Sequence, residues 1–369
     1  MAIKDTGSIS ITDISNEFTG SAPHALNEYY RGGAYVHDNT AIVPDHNSTI
    51  PTSGEISVGD FYGATNLFYL QISENVENYN VLTEAEAKGW NEISKIVLLI
   101  DSGIYVWSDD TAKPALLIPN IGQAVTIENS GYIIGKGGAG GVYYAAINPS
   151  VSIGEAGGVA IAVKDATVII NNSGNGFIGG GGGGGGGGVQ AGGGGGAGGG
   201  VGGVGQSGSG AGGAGGTIGE KGSNSALNNG NTGGIGGNAG GSGGGVQENK
   251  GTDTRGSGGG GGRRMASTAG ASARIPSGEG QDWPGGYGGG NNSPGGAYGY
   301  YLWQTGGSTT TGGSGRFNHA GGGGGGWGAP GGAGYSAGGA GGRAVSLVFG
   351  SNVTVNNDPN GRIYGAYLR

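Results

Sequence analysis

The chain has 369 residues, 100 of them glycine, no cysteine, and a formal net charge of −8. The missing cysteines exclude a disulfide framework and thiolate metal sites. No run reaches the ~18 apolar residues of a membrane helix, and the basic residues are too sparse to form a nucleic-acid-binding stripe. Glycine and charge both divide the chain near residue 130. Ten glycines precede residue 131, 87 fall within 131–344 and 3 follow. Residues 1–130 hold 17 acidic and 5 basic residues, against 8 and 12 in residues 131–369. The mildly basic far end suits either an anionic partner such as a phosphorylated glycan surface or plain solubility. Met1-Ala2-Ile3-Lys4-Asp5 has no signal-peptide core, so synthesis in a cytosol without a secretory signal is expected.

In chain order, residues 1–65 contain a short repeat: Gly7-Ser8-Ile9-Ser10-Ile11-Thr12-Asp13-Ile14 matches Gly54-Glu55-Ile56-Ser57-Val58-Gly59-Asp60-Phe61. In each copy a serine stands three before an aspartate, the pattern of a helix N-cap with a first-turn carboxylate. Leu26–Gly33 reads as another short helix stopped by glycine. Helices this short need a partner surface. Residues 1–65 are therefore expected to dock or assemble, through Ile9, Ile11, Ile14, Phe18, Tyr29, Tyr30 and Phe61. Residues 66–130 read as a small β-rich connector. Leu67–Ile72 is a strand, Thr83-Glu84-Ala85-Glu86 a capping box opening a helix that Gly89 ends, and Lys95–Trp107 a strand, an Asp101-Ser102-Gly103 turn and a second strand.

A second repeat punctuates the glycine-rich remainder of the chain. Val125-Thr126-Ile127-Glu128-Asn129-Ser130-Gly131-Tyr132-Ile133-Ile134-Gly135 resembles residues 168–179 and 353–365. Each copy is a β-branched strand, an Asn/Ser/Gly turn and an aromatic or aliphatic pair. They read as hairpin-like units capping a glycine domain over 131–344, with 345–369 as a C-terminal β cap. The glycine runs lack a Gly-X-Y period and there are only 11 prolines, which excludes collagen. Near-pure runs such as Gly179–Gly188 also differ from Gly/Ser linkers. The ordered arrangement expected is a sandwich of polyglycine-II helices, whose N–H and C=O groups point outward to neighbouring helices. The fold class expected is thus mainly β and irregular: a small β-rich N-terminal part, then a polyglycine-II sandwich with β-hairpin caps.

Three interruptions carry large side chains: Val246–Arg255, Arg263–Pro284, and Tyr298–Gln304 continuing to Arg316-Phe317-Asn318-His319. Nine aromatics lie between residues 283 and 335. Tyr, Trp and Arg carry binding energy most often, and Tyr/Ser/Gly/Asn mixtures are typical of paratopes. The candidates for contact are Arg255, Arg263, Arg264, Trp283, Tyr298, Tyr300, Tyr301, Trp303, Arg316 and Phe317. Trp327 and Tyr335, isolated within glycine, read as packing residues. Other chemistry is weakly supported. Gly131–Gly137 falls short of a phosphate loop. His24, His37, His46 and His319 lack metal spacing. Asp253, Glu279 and Asp282 could form a glycosidase pair, but the β-helix frame of a glycan-cleaving tailspike is not visible. No enzyme, cofactor or metal is expected.

The order of a β-rich head, a Val-Thr-Ile-Glu-Asn-Ser-Gly-Tyr-Ile turn, glycine tracts and intervening loops resembles the glycine-rich adhesins at the tips of long tail fibres in T-even-type phages. The resemblance covers about residues 125–369. It implies a polyglycine-II sandwich whose distal loops contact an outer-membrane protein or lipopolysaccharide, in a protein carried on the virion tail. Ile9–Ile14 with Asn27–Gly33 resembles the start of many phage tail proteins, which implies that the N-terminus meets other tail proteins. That segment departs from the T-even adhesins. A monomer and a homotrimer both stay open, as does a role as a rigid structural spacer; neither nucleic-acid binding nor membrane insertion is implied.

Overall fold

The computed structural model describes residues 2–39, 42, 47–143, 152–206, 211–218, 220, 222–225, 246–248, 254–256, 262, 281–283, 288–289, 321–348 and 350–367. Its frame is a set of three parallel sheets. The first runs β1 (Leu67–Ile72), β4 (Lys95–Ile100), β7 (Val125–Asn129), β10 (Thr167–Asn172) and β16 (Asn352–Asn357). The second runs β2 (Val76–Glu77), β5 (Tyr105–Trp107), β8 (Tyr132–Ile134), β11 (Phe177–Gly179) and β17 (Arg362–Tyr364). The third runs β3 (Tyr79–Asn80), β6 (Leu116–Ile118), β9 (Ile161–Val163) and β15 (Val345–Leu347). The chain visits one strand of each sheet in turn, then stacks the next set in register. This is a three-sided parallel solenoid of five turns, and a bridge from Tyr367 to Val345 brings the fifth turn back to the third sheet.

Alternation within each strand explains why the turns stack. In the first sheet three inward columns align across all five strands. Phe68, Ile96, Val125, Val168 and Val353 form one, and Leu70, Leu98, Ile127, Ile170 and Val355 the next. The third begins with Ile72 and Ile100 and then becomes Asn129, Asn172 and Asn357. These apolar residues join Ile133, Ile161, Val163 and Ile178 in one continuous core. A buried carboxamide is costly unless its hydrogen bonds are made. Here Asn129 donates to Asn172 Oδ1 at 2.7 Å, and Asn172 donates to Asn357 Oδ1 at 2.7 Å. The ladder turns a sheet corner in three successive turns without leaving an amide unpaired.

The expected fold class is corrected here. The frame is parallel β structure, not a polyglycine-II helix sandwich with hairpin caps. The three repeats over 125–135, 168–179 and 353–365 are successive solenoid turns. The two strands of each repeat belong to different sheets and pair with the next repeat, not with each other. Parallel stacking sets two apolar columns and the Asn column of each repeat over those of the next. Strands on both sides of residue 130 share these sheets, so the β-helix frame that is not visible in the sequence is present in the fold. The helix after β3 spans Val81–Ala87 and is capped by Asn80, which accepts from the Leu82 and Thr83 N–H groups, rather than by Thr83.

Residues 2–66 form a separate small core ahead of the solenoid. Helix α1 (Ile11–Phe18) starts at a capping box, with Ser10 accepting from Asp13 N–H and the Asp13 carboxylate accepting from Ser10 N–H. Single-turn 3-10 helices follow at Leu26–Tyr29 and Val58–Phe61. This module lies against the first solenoid turn. The Asn39 side chain donates to the Leu67 carbonyl at 2.9 Å and accepts from Tyr69 N–H at 3.3 Å, bonding to the outer edge of β1. His37 packs on Phe68 at 4.6 Å between ring centroids, and its Nε2 accepts the Asn91 N–H at 3.3 Å.

Candidate receptor-binding site

The glycine-rich sequence enters as two insertions at one place in the solenoid, between the second and third sheets. Register partners lie 28 residues apart between the first two turns (Leu67 and Lys95) and 29 between the next (Ile96 and Val125). The interval grows to 43 (Val125 and Val168) and then 185 (Val168 and Val353). The excess falls within residues 135–160 and 180–344, whose described passes lie as a lobe beside the second sheet.

Backbone hydrogen bonding holds this lobe with a three-residue period. Along Gly180–Gly188, residues 181, 184 and 187 donate to Gly158, Glu155 and Ser152 at 2.9, 2.8 and 2.7 Å. Residues 182, 185 and 188 donate to Ala197, Gly194 and Ala191, and residues 180, 183 and 186 to Tyr364, Ala329 and Gly332. One extended run is thus bonded on three sides, and its neighbours sit so close that no side chain fits. A Cβ on Gly184 would fall 1.8 Å from the Ala139 carbonyl oxygen. Lateral backbone pairing, rather than an apolar core, supplies the order of the inner passes.

An aromatic seam joins lobe to solenoid. On the outer face of the second sheet, Tyr105 stacks on Tyr132 with centroids 4.5 Å apart, and Tyr132 meets Phe177 at 6.2 Å. Phe177 touches Tyr364 at 5.3 Å and lies 5.8 Å beneath the Arg362 guanidinium. Trp327, from the lobe, meets Phe177 edge-on at 5.6 Å and is fully buried. It fits because the outward column reads Trp107, Ile134, Gly179, Tyr364. A Cβ on Gly179 would come within 3.2 Å of the Trp327 ring. Trp327 packs, as its isolation within glycine suggests. Tyr335, equally isolated, is 48% exposed. The repeat marks Tyr132 and Tyr364 as aromatic positions, but their contacts with Tyr105 and Phe177 depend on how successive turns stack.

Of the candidate contact residues, two lie in described structure. Strands β12 (Val246–Glu248), β13 (Thr254–Gly256) and β14 (Gln281–Trp283) form an antiparallel sheet with β12 in the middle. Gln247 pairs with Arg255 on one side and with Asp282 on the other, and Val246 pairs with Trp283. Strands from the first two interruptions of the glycine region thereby share one sheet. Arg263, Arg264, Tyr298, Tyr300, Tyr301, Trp303, Arg316 and Phe317 lie outside the described residues, as do His46, Asp253, Glu279 and His319. Among the described residues no group of three or more His, Asp or Glu could hold a metal, and no helix is long and apolar enough to cross a membrane.

The residues expected to dock elsewhere sit mostly in the core of the N-terminal module. Ile14, Phe18, Tyr29 and Phe61 are fully buried against one another, with Ile9 and Ile11 packed at the margin. Tyr30 is half-buried, and its hydroxyl donates to the Gly54 carbonyl. Burial leaves these side chains shaping the module, so a docking partner would meet its outer surface.

Known proteins place this architecture. The family model described as phage tail fibre adhesin Gp38 matches residues 67–256, just over half of the chain, from the first solenoid strand through β13. The chain belongs to this family of tail-fibre adhesins. The adhesin is also similar, at 22% identity and a TM-score of 0.43 over the whole of both chains, to a crystal structure titled as the gp37–gp38 adhesin tip complex of the bacteriophage S16 long tail fibre. That likeness is too loose to carry residue positions across. No curated protein sequence matches the chain. Family membership assigns the adhesin to the virion tail fibre and to host recognition.

Proposed function

We propose that the adhesin recognises a bacterial outer-surface receptor, an outer-membrane protein or lipopolysaccharide, through segments 246–319 presented by the glycine lobe. The observation that supports this reading is the pairing within β12–β14, which brings the strands carrying Arg255 and Trp283, from two separate interruptions, into one antiparallel sheet. The described glycine passes are themselves bonded on three sides. A platform fixed by backbone pairing can hold variable side chains without ordering cost at each encounter. Residues 298–304 and 316–317 supply the remaining aromatic and basic contacts on this reading. The small module of residues 1–65 docks to other tail proteins. The adhesin binds and does not cleave its receptor, and it requires no cofactor.

Single replacements of Tyr300, Tyr301 and Trp303 by alanine, scored for adsorption to susceptible cells and for unfolding midpoint, test the assignment. A loss of adsorption with an unchanged midpoint is expected. Unchanged adsorption by all three folded variants, together with Trp283→Ala, would remove the contact surface from these segments.

A further inference from the structure

The two ends of the solenoid are finished differently. At the first turn Asn39 bonds to the outer edge of β1. At the last turn no further strand among the described residues covers the inward columns. Val353, Val355 and Ile363 are only partly buried, although Val168, Ile170 and Ile178 beneath them are 0–1% exposed.

The polar ladders end with bonding capacity to spare. Asn172 uses one amide hydrogen on the Gly176 carbonyl (3.2 Å) and the other on Asn357. Asn357 repeats the first bond, to the Gly361 carbonyl at 3.0 Å, and keeps its second hydrogen. In the neighbouring outer column Asn171 donates to Glu128 at 2.6 Å, and Asn356 donates to Asn171 Oδ1 at 2.8 Å, which leaves the Asn356 Oδ1 as the open acceptor. Asn352 and Asp358 donate their N–H groups to β10-side carbonyls, those of Ala166 and Asn172. Alternation in a parallel ladder then aims the backbone groups of Val353, Val355 and Asn357 away from β10. A groove of about 330 Å³ lined by Val355, Asn357, Arg362, Ile363, Tyr364 and Tyr367 flanks this edge.

We propose that β16 accepts one parallel β-strand from another polypeptide of the tail fibre, with the pattern apolar-x-apolar-x-carboxamide. The pattern is what the three preceding turns supply at the same height: Val125, Ile127, Asn129; Val168, Ile170, Asn172; Val353, Val355, Asn357. An incoming carboxamide takes the free Asn357 hydrogen, and two apolar side chains cover Val353 and Val355. Strand addition to an open edge draws its affinity from main-chain bonds and its specificity from alternate side chains. A second copy of the adhesin fits poorly. Two β16 edges meeting end to end run antiparallel, so Val355 over Val355 sets Val353 over Asn357, and the copy's first edge is occupied by Asn39.

The test is binding of a fluorescein-labelled peptide with the sequence of residues 167–176 to the full-length adhesin, read by fluorescence anisotropy. Saturable one-to-one binding is expected, at least tenfold weaker for Val355→Lys and weaker again for a peptide carrying Asn172→Leu. Amide exchange at Val353, Val355 and Asn357 should be fast in the free protein and slow at least tenfold with peptide. Should Val355→Lys fail to fold, the exposed Asn356→Ala variant and the peptide-side substitution carry the comparison. Absence of binding, or binding indifferent to all these changes, overturns the proposal. So does protection of those amides in the free protein, because the edge would then already be covered by this chain or by a second copy.

Discussion

Replacing Gly184 with alanine probes whether backbone contact holds the lobe. The added Cβ would stand 1.8 Å from the Ala139 oxygen and 2.4 Å from its carbon, and both are backbone atoms without a rotamer to yield. Ordinary contact begins at 3.4 Å, so the two passes must part by about 1.6 Å. The bonds from Gly138 to Gly182, from Gly141 to Gly185 and from Glu155 to Ala139 are each 2.8 Å long. Parting of that size takes the first two beyond bonding distance and strains the third. Each buried amide left unpaired costs about 1–3 kcal/mol. The two lost bonds give a loss of about 2–6 kcal/mol, against about 0.4–1 kcal/mol regained from a stiffer unfolded chain. Denaturant unfolding together with hydrogen exchange over residues 180–188 reads the effect. Gly59→Ala is the control, because its nearest neighbour is the Ser57 hydroxyl at 3.5 Å. A Gly184→Ala protein within about 1 kcal/mol of the parent, with unchanged exchange in the run, would refute the reasoning.

Three further outcomes are expected. Trp327→Ala removes a fully buried indole from the seam and should cost about 3–5 kcal/mol, with faster exchange in 180–188 while β4 stays protected. Asn172→Leu strands the Asn129 amide and the Asn357 oxygen inside the corner ladder. It should lower stability by about 2–5 kcal/mol by chemical denaturation, whereas Asn356→Ala, at the exposed end, should change little. Burial holds His37 below the ordinary imidazole range, and the protonated ring cannot accept the Asn91 N–H. The unfolded chain therefore binds the proton first as pH falls below about 6.5, and stability drops until the folded-state pKa is passed. Thermal unfolding at neutral and mildly acidic pH should show a larger acid loss in the parent than in His37→Gln.

Local chemistry makes the pieces legible. The alternation of Leu67–Ile72 and Lys95–Trp107, the Ser10–Asp13 and Ser57–Asp60 capping spacing, and the repeat around Asn129, Asn172 and Asn357 all mark elements that exist. What they do not reveal is how the pieces stack. The first two turns lack the Asn signature, having Ile72 and Ile100 in its column. The later ones are separated by insertions that carry the interval to 185 residues. Each repeat read alone looks like a hairpin, because the partner that buries its inward face lies a full turn away. The same distance hides the seam: Tyr105, Tyr132, Phe177 and Tyr364 belong to four different turns, and Gly179 is informative only once Trp327 lies over it. Asn80 rather than Thr83 begins helix Val81–Ala87 because β3 delivers the chain there already extended.

The measurement closest to the central claim is binding of purified, labelled adhesin to whole susceptible cells, beside a variant lacking residues 246–319. The deletion is closed with a short glycine linker and checked for retained exchange protection in β4, β7 and β10. Saturable binding by the full chain that vanishes with the deletion is the predicted result. Binding that survives the deletion, or a folded full chain that ignores every susceptible strain yet binds virion components, would contradict the account and favour a structural spacer.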